Sequence, residues 1–161
     1  MVEGGEAELD HWRRAKDALR PVAHVHEVQV AGALSEPVAM QLCLPSLTRT
    51  VLIHPEVVEH ILAQRQGCFE DAEFVFRHMA DAIARPHYCG PDPRHRNRYD
   101  LVYLTDAGSR PLFIAIKLVP AMSAGTQRDE LWISTGYPLG TDFRKRRRWK
   151  ESLQPVLPVN P

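Results

Sequence analysis

Apolar residues at helical spacing predict three helices in the first half of the chain. Residues 6–19 would form a short, mostly polar helix at the surface. Residues 55–66 and 70–84 each carry an apolar stripe that one face of a helix would bury. Pro55 suits the first turn of its helix because a proline there gives up no needed N–H donor, and Pro86 ends the second helix.

Alternating apolar and polar positions predict strands elsewhere. Residues 24–30 and 38–44 roughly alternate and are separated by turn residues, so we expect them to form a hairpin. A short apolar stretch at 50–53 precedes the helix that begins at Pro55. Turn residues in the last third predict an antiparallel meander of three strands, at residues 98–105, 111–119 and 130–137.

This order of elements predicts an α+β fold, with helices packed on one face of a twisted antiparallel sheet. A chain of 161 residues has the size of one ordinary domain. We divide it into an N-terminal helix and hairpin extension at 1–49, a main domain at 50–150, and a proline-rich tail at 151–161 that we expect to fray.

Composition narrows the class of protein. Hydrophobic residues make up 44% and charged residues 25%, which excludes wholesale disorder. No apolar run approaches the roughly 20 residues that cross a bilayer, and the acidic N-terminus lacks the apolar segment of a secretion signal. Three cysteines without a CxxC spacing favour a reducing compartment, so we expect a cytoplasmic protein.

The net charge is +0, but the basic residues are concentrated in one place. Residues 144–150 contain six Lys and Arg, among them Arg146 and Arg148, around Trp149. This segment could contact a polyanion, with Trp149 stacked on a base, or it could be a solvated tail or a localisation signal.

Two kinds of chemistry are disfavoured by the motifs. His24 and His26 would share a strand face, but no third ligand follows at a zinc-like spacing, so we expect no metal site. Motifs of nucleotide-cofactor enzymes, P-loop NTPases, elbow-type serine hydrolases and zincins do not occur, and we expect no cofactor.

One histidine and one lysine are candidate catalytic residues. His60 lies about 130° from the apolar stripe of its helix, a partly wet position that suits a proton carrier. Lys117 is a lone cation in an apolar strand and could bind a phosphate. The alternatives are an ordinary surface histidine and a lysine that extends from the sheet edge into water.

Hydroxyls and arginines are candidates for binding. Ser134, Thr135 and Tyr137 stand at a strand end, where hydroxyls can donate to phosphate oxygens, although Thr and Tyr favour strands in any case. A basic rim could lie at the start of the meander, or its side chains could simply be solvated. Its members would be His95 and three arginines, Arg94, Arg96 and Arg98.

The order of these motifs resembles the barnase–EndoU–colicin–RelE superfamily of metal-independent ribonucleases, especially its phage-associated and polymorphic-toxin branches. The similarity extends over about residues 50–140 and is carried by five short segments: Pro55–Leu62, Ala84–Pro86, Tyr99–Leu104, Leu112–Leu118 and Leu131–Pro138. It implies a RelE- or barnase-like fold.

The resemblance also implies roles for the candidate residues. His60 would be the general acid or base, and Lys117 would stabilise the phosphorane. Ser134, Thr135 and Tyr137 would hold the scissile phosphate.

A second proton carrier is missing from the expected position. Many relatives have a histidine or basic residue about a turn after the first histidine, where this chain has Arg65, which is always charged. His78 or His95 could replace it.

The implied reaction is transesterification of RNA by its own 2′-OH, which leaves a 2′,3′-cyclic phosphate and needs no metal or cofactor. The implied partners are RNA, with tRNA and rRNA as candidate substrates, and an immunity protein or antitoxin; a delivered effector would act in the cytoplasm. Two alternatives stay open. One is a catalytically degenerate RNA- or protein-binding domain of the same fold, and the other is a phage or secretion adaptor that docks through residues 1–50.

Overall fold

The computed structural model describes residues 28–44, 48–64, 69–105, 110–121, 128–140, 142–146 and 151–157. The predicted helix at 6–19 and most of the predicted strand at 24–30 lie outside the described residues, as do Arg148 and Trp149.

The described residues form seven strands, three α-helices and one 3₁₀ turn. The strands are β1 (Gln29–Ala33), β2 (Thr50–Ile53), β3 (Tyr88–Pro91), β4 (Arg98–Leu104), β5 (Pro111–Val119), β6 (Glu130–Pro138) and β7 (Gln154–Pro155). The helices are α1 (Glu36–Gln41), α2 (Pro55–Gln64) and α3 (Phe69–Ala84), and the 3₁₀ turn is Phe143–Lys145. The predicted meander and both apolar helices are confirmed, and the apolar stretch at 50–53 is strand β2.

All strands belong to one sheet in the order β1-β2-β6-β5-β4-β3-β7. The fold is therefore α+β, but the sheet is mixed, because β2 and β6 pair in parallel while the other neighbours are antiparallel. The prediction of a purely antiparallel sheet is wrong at this pair. The chain leaves β2 through α2 and α3 and returns beside it only with β6, the last strand of the meander, and a long connection of this kind lets two strands run in the same direction.

The predicted strand at 38–44 is wrong, because its first half is helix α1. Ser35 caps this helix by accepting a hydrogen bond from the Val38 N–H at 3.4 Å, and a proline occupies the first turn. Val38 and Leu42, four positions apart, are both buried, as helical spacing requires. With this segment helical, β1 forms its antiparallel pair with β2 instead.

Two strands were missed by the sequence analysis. β3 lies in the predicted loop at 87–97, and β7 lies in the tail that we expected to fray. β7 pairs with β3, and the Gln41 side chain holds the same segment by donating to the Pro155 carbonyl and accepting from the Leu157 N–H, both at 2.9 Å. Such long-range pairing leaves no pattern in the local sequence.

The three helices share one face of the sheet, which was predicted for α2 and α3 but not for α1. Val38 of α1, Ile61 of α2 and Ile83 of α3 belong to the same buried cluster as Ile114 and Ile116 of β5. The opposite face carries a smaller cluster, which the segment after β6 covers: Val102, Phe113, Ala115, Leu139 and Phe143. We call these two surfaces the helix face and the open face.

Gly90 lies against backbone and Gly136 against a side chain, and substituting each one tests the position of the C-terminal segment. A Cβ at Gly90 would overlap the backbone carbonyl oxygen of Ser152, whereas a Cβ at Gly136 would lie 2.8 Å from Cδ1 of Ile114, the movable end of a side chain. We expect Gly90→Ala to lower the free energy of unfolding by about 1–3 kcal/mol and to release β7, and Gly136→Ala to cost less. Urea denaturation measures both, and equal losses would contradict the placement of residues 151–153.

Burial predicts different reactivities for two cysteines. Burial raises the pKa of Cys89 to about 11, whereas Cys43 is exposed. Because the thiolate is the reactive form, a Cys68→Ser variant should be alkylated at Cys43 at neutral pH and at Cys89 only after unfolding. The unfolded thiol ionises near its ordinary value of 9.0, so this group should make the folded state less stable as the pH rises from there to about 11. Mass spectrometry of the labelled peptides checks the first result, and equal labelling would contradict it.

Candidate functional site

The pairing register places two cations and an indole side by side on the open face. Arg98 of β4 is opposite Lys117 of β5, and Lys117 is opposite Trp132 of β6. Because neighbouring strands are about 4.8 Å apart, this cross-strand row of Arg98, Lys117 and Trp132 extends over roughly 10 Å. The Lys117 side chain is exposed, and those of Arg98 and Trp132 are half-buried.

A β-bulge in β6 makes this row possible. Ala115 pairs with Thr135 and the next residue, Ile116, pairs with Ile133, so Ser134 is an extra residue in the strand. The side chains of Trp132 and Thr135 therefore lie on the same face although an odd number of positions separates them. Trp132 is therefore beside Lys117, and Thr135 is beside Ala115 of the smaller buried cluster on the open face.

His54 extends the row by one more strand. It directly follows β2, in which Leu52 pairs with Trp132, and the centroids of the His54 and Trp132 rings are 6.4 Å apart with the planes inclined by 47°. His54 was not among the sequence-based candidates. It occupies the junction between a strand and a helix, where periodicity carries no information. The only available signal was its position immediately before Pro55, the first-turn proline of the helix.

His54 also caps α2. Its carbonyl oxygen accepts from the N–H groups of Val57 and Val58 at 2.9 and 3.2 Å, and its ring Nδ1 accepts from the Glu56 N–H at 3.2 Å. An accepting Nδ1 carries no proton, so the proton of the neutral ring is on Nε2. The cap therefore sets both the position of the imidazole and its tautomer.

These residues line a cavity of about 400 Å³ where the first turn of α2 meets β5 and β6. The lining combines an imidazole, an ammonium, an indole and two carboxylates with three aliphatic side chains: His54, Lys117, Trp132, Glu56, Glu130, Val57, Val119 and Ile133. A carboxylate and an imidazole can exchange protons with a substrate, and the ammonium can stabilise negative charge that develops on it.

The structure does not bring His60 to this cavity. His60 is exposed on α2, whereas Val58 and Ile61 of the same helix are buried in the core of the helix face. Lys117 lies on the open face, so the expected convergence of His60 with Lys117 is not observed. The helical wheel correctly placed His60 away from the core, but it could not tell which surface of the molecule that position faces.

Thr135 and Tyr137 lie on the same face as Lys117 but outside the cavity. The Tyr137 ring packs against Phe113 of the smaller buried cluster on the open face, with ring centroids 4.8 Å apart. The Thr135 hydroxyl oxygen is buried and has no hydrogen-bond partner among the described residues. Ser134 is half-buried at the bulge and does not line the cavity either.

The remaining candidates are distributed over other surfaces. Arg94 and Arg96 are exposed on the connection from β3 to β4, next to Arg98 in the row, and Arg146 is exposed after the 3₁₀ turn. His78 is half-buried on α3, with its ring between those of Phe74 and Tyr103 at 5.0 and 6.0 Å, away from the cavity.

Two further kinds of feature are absent from the described residues. No group of three or more His, Cys, Asp and Glu side chains there is arranged to hold a metal ion. In the same residues, no helix combines the length and the hydropathy that a bilayer crossing requires.

Because comparison with known proteins gives no match, a function for this chain must be argued from the site itself. No protein-family model matches the chain, and neither a curated protein nor a solved structure matches it.

The double role of His54 can be separated by substitution. His54→Ala removes the ring acceptor of the α2 cap and should lower the free energy of unfolding by about 1 kcal/mol, whereas His54→Asn should restore most of that loss because Asn is a strong N-cap residue. Urea denaturation of the two variants beside the wild type measures the difference. If His54→Ala is as stable as the wild type, the cap does not operate.

Proposed function

We propose that this protein is a metal-independent endoribonuclease that cleaves RNA by 2′-OH transesterification. The observation that carries the proposal is the cavity in which His54, Lys117 and two glutamates meet beside Arg98 and Trp132. An imidazole, carboxylates and an ammonium are the groups that this reaction needs, since it transfers two protons and develops charge on a phosphorane. The order of motifs that resembles the barnase–EndoU–colicin–RelE superfamily supports the same reaction.

In the proposed mechanism a cavity carboxylate, Glu56 or Glu130, takes the proton of the ribose 2′-OH. The 2′ oxygen attacks phosphorus, the bond from phosphorus to the 5′ oxygen breaks, and Lys117 stabilises the charge on the non-bridging oxygens. The products are a 2′,3′-cyclic phosphate and a free 5′-OH. DNA lacks the attacking hydroxyl and would not be cleaved.

In this proposal His54 takes the role that the resemblance implied for His60. The cap hydrogen bond at Nδ1 leaves Nε2–H as the group that donates to the substrate in this mechanism. Transfer of the proton to the leaving 5′ oxygen requires the imidazolium, which forms when Nδ1 gives up the hydrogen bond from the Glu56 N–H and takes a proton from solvent. The start of α2 is thereby coupled to the protonation state of the catalytic ring.

The test is cleavage of total tRNA and rRNA in the presence of EDTA, with detection of 2′,3′-cyclic phosphate on the new ends. We expect His54→Asn, which keeps the helix cap, to lower kcat/KM by about 10²–10⁴, the usual contribution of acid–base transfer. Lys117→Gln should also lower it, because a charge that stabilises the transition state is lost.

Two further variants make the result specific. Arg85→Gln removes an exposed cation at the end of α3, outside the cavity, and should leave the rate unchanged. His60→Asn decides between the two histidines, because it reduces cleavage only if the assignment from the sequence is right. Absence of cyclic phosphate ends with wild-type protein would overturn the proposal.

A second candidate function is RNA binding without cleavage. It is favoured by the row itself, because an indole next to two cations stacks a base and contacts phosphates whether or not protons are transferred. Binding of single-stranded RNA that stays intact in the same assay would select this alternative.

An immunity protein or antitoxin is the partner that a cytoplasmic ribonuclease of this kind would need. We propose that such a partner blocks the cavity, so a neutralising protein should protect RNA from the wild-type protein and should lose affinity when Lys117 is replaced.

A further inference from the structure

The connection between β3 and β4 concentrates basic side chains in a short segment. We call residues 92–97 the arginine loop. Arg94, His95 and Arg96 within it are exposed, and neither arginine side chain has a hydrogen bond or ion pair with another described residue. The loop therefore presents two guanidinium groups to water from a short segment.

A buried carboxylate organises this loop from the inside. The Asp92 side chain is only 2% exposed. Its Oδ1 accepts from the Arg94 N–H at 2.8 Å, and its Oδ2 is 3.1 Å from Nδ1 of His95. The negative charge is thus directed to the backbone and the imidazole of the loop, while the arginine side chains remain available for a ligand.

Further hydrogen bonds attach the loop to the strands that carry the cross-strand row. The Asp92 N–H donates to the Arg98 carbonyl at 2.9 Å, and the Leu118 N–H donates to the Asn97 carbonyl at 2.7 Å. Asn97 has a φ of 60°, a left-handed conformation that asparagine tolerates better than most residues and that turns the chain into β4. The loop is therefore held beside Arg98 and next to the residue that follows Lys117.

We infer that the arginine loop is a preformed binding site for the phosphate next to the scissile one, and that the substrate is single-stranded RNA lying across the strands from this loop to the cavity. The inference rests on the proposed function, since it takes RNA as the ligand. Guanidinium groups suit phosphate because their planar donors match its oxygens. Trp132 requires an unstacked base, which a single strand offers and a duplex does not.

Asp92 is a positioning residue in this account and contacts no substrate. Without its carboxylate, the Arg94 N–H and the His95 ring lose their partner, and the loop loses the geometry that spaces its arginines. An amide in the same place can still accept from the Arg94 N–H and donate to a neutral His95 ring, so asparagine should preserve the loop where alanine does not.

The experiment measures binding of a short, fully 2′-O-methylated single-stranded RNA, which cannot be cleaved, by fluorescence anisotropy over a series of salt concentrations. Replacing both Arg94 and Arg96 by Gln should weaken binding about tenfold and reduce the slope of log K against log salt by about 0.7, since the loop binds one phosphate and each phosphate neutralised on a single strand contributes about 0.7. The matched control is Arg85→Gln, an exposed arginine at the end of α3, which should change neither quantity.

The role of Asp92 is tested in the same assay. Asp92→Ala should weaken binding, and Asp92→Asn should restore most of the affinity. Asp81→Asn, which changes an exposed aspartate on α3, is the control for the change of net charge. Circular dichroism melting of every variant separates an effect on the loop from unfolding. If Asp92→Ala does not fold, the double variant Arg94→Gln/Arg96→Gln still tests the inference, because both positions are exposed.

The possible outcomes separate this inference from the proposed function. If the arginine loop variants bind with the wild-type affinity and salt slope, the inference is wrong even if the protein cleaves RNA. If the wild type binds the methylated RNA through the arginine loop but cleaves no natural RNA, the catalytic proposal fails, and the arginine loop remains a phosphate site for single-stranded RNA. An equal loss in Asp92→Asn and Asp92→Ala, with intact melting curves, would show that Asp92 does not act by positioning the loop.

Discussion

The register between β4, β5 and β6 is the constraint on which the rest of the site depends. It aligns Arg98, Lys117 and Trp132 on one face of the sheet, and the single extra residue at Ser134 keeps Trp132 in that alignment. A shift of one residue in either pair would turn the lysine or the indole toward the helix face, where isoleucines and leucines fill the core. The same hydrophobic core that stabilises the sheet therefore also maintains the arrangement of its polar residues on the open face.

The junction of β2 and α2 combines structural and chemical roles in one residue. β2 lies beside β6 in the parallel pair, so the residue that follows it comes to the edge of the cross-strand row. His54 stands there, and its ring satisfies an N–H group at the start of α2. Helices begin with unsatisfied donors, and a side chain that satisfies one is held more rigidly than an ordinary surface residue. The imidazole is therefore held in place before any substrate arrives.

The open face is divided into two parts that differ in accessibility. Toward one end are the cavity and the arginine loop, with exposed cations. Toward the other end the segment after β6 places Leu139 and Phe143 over Phe113 and Tyr137. This covering explains why residues of the same strand and the same face have different environments: Trp132 lines the cavity, whereas Tyr137 contributes to a core.

Local pattern by itself determined the two apolar helices, the meander and the position of His60 away from the core, because amphipathic spacing reports directly which side of an element is buried. It could not determine that 38–44 begins as a helix, where a serine cap and a proline outweigh alternation, nor that β7 would join the sheet. Only the tertiary structure decided which histidine meets Lys117. That choice depends on the parallel pairing of β2 with β6, whose partners are about 80 positions apart, and on the bulge at Ser134, in a strand pair whose partners are about 20 positions apart. Neither pairing leaves a periodic signal in the local sequence.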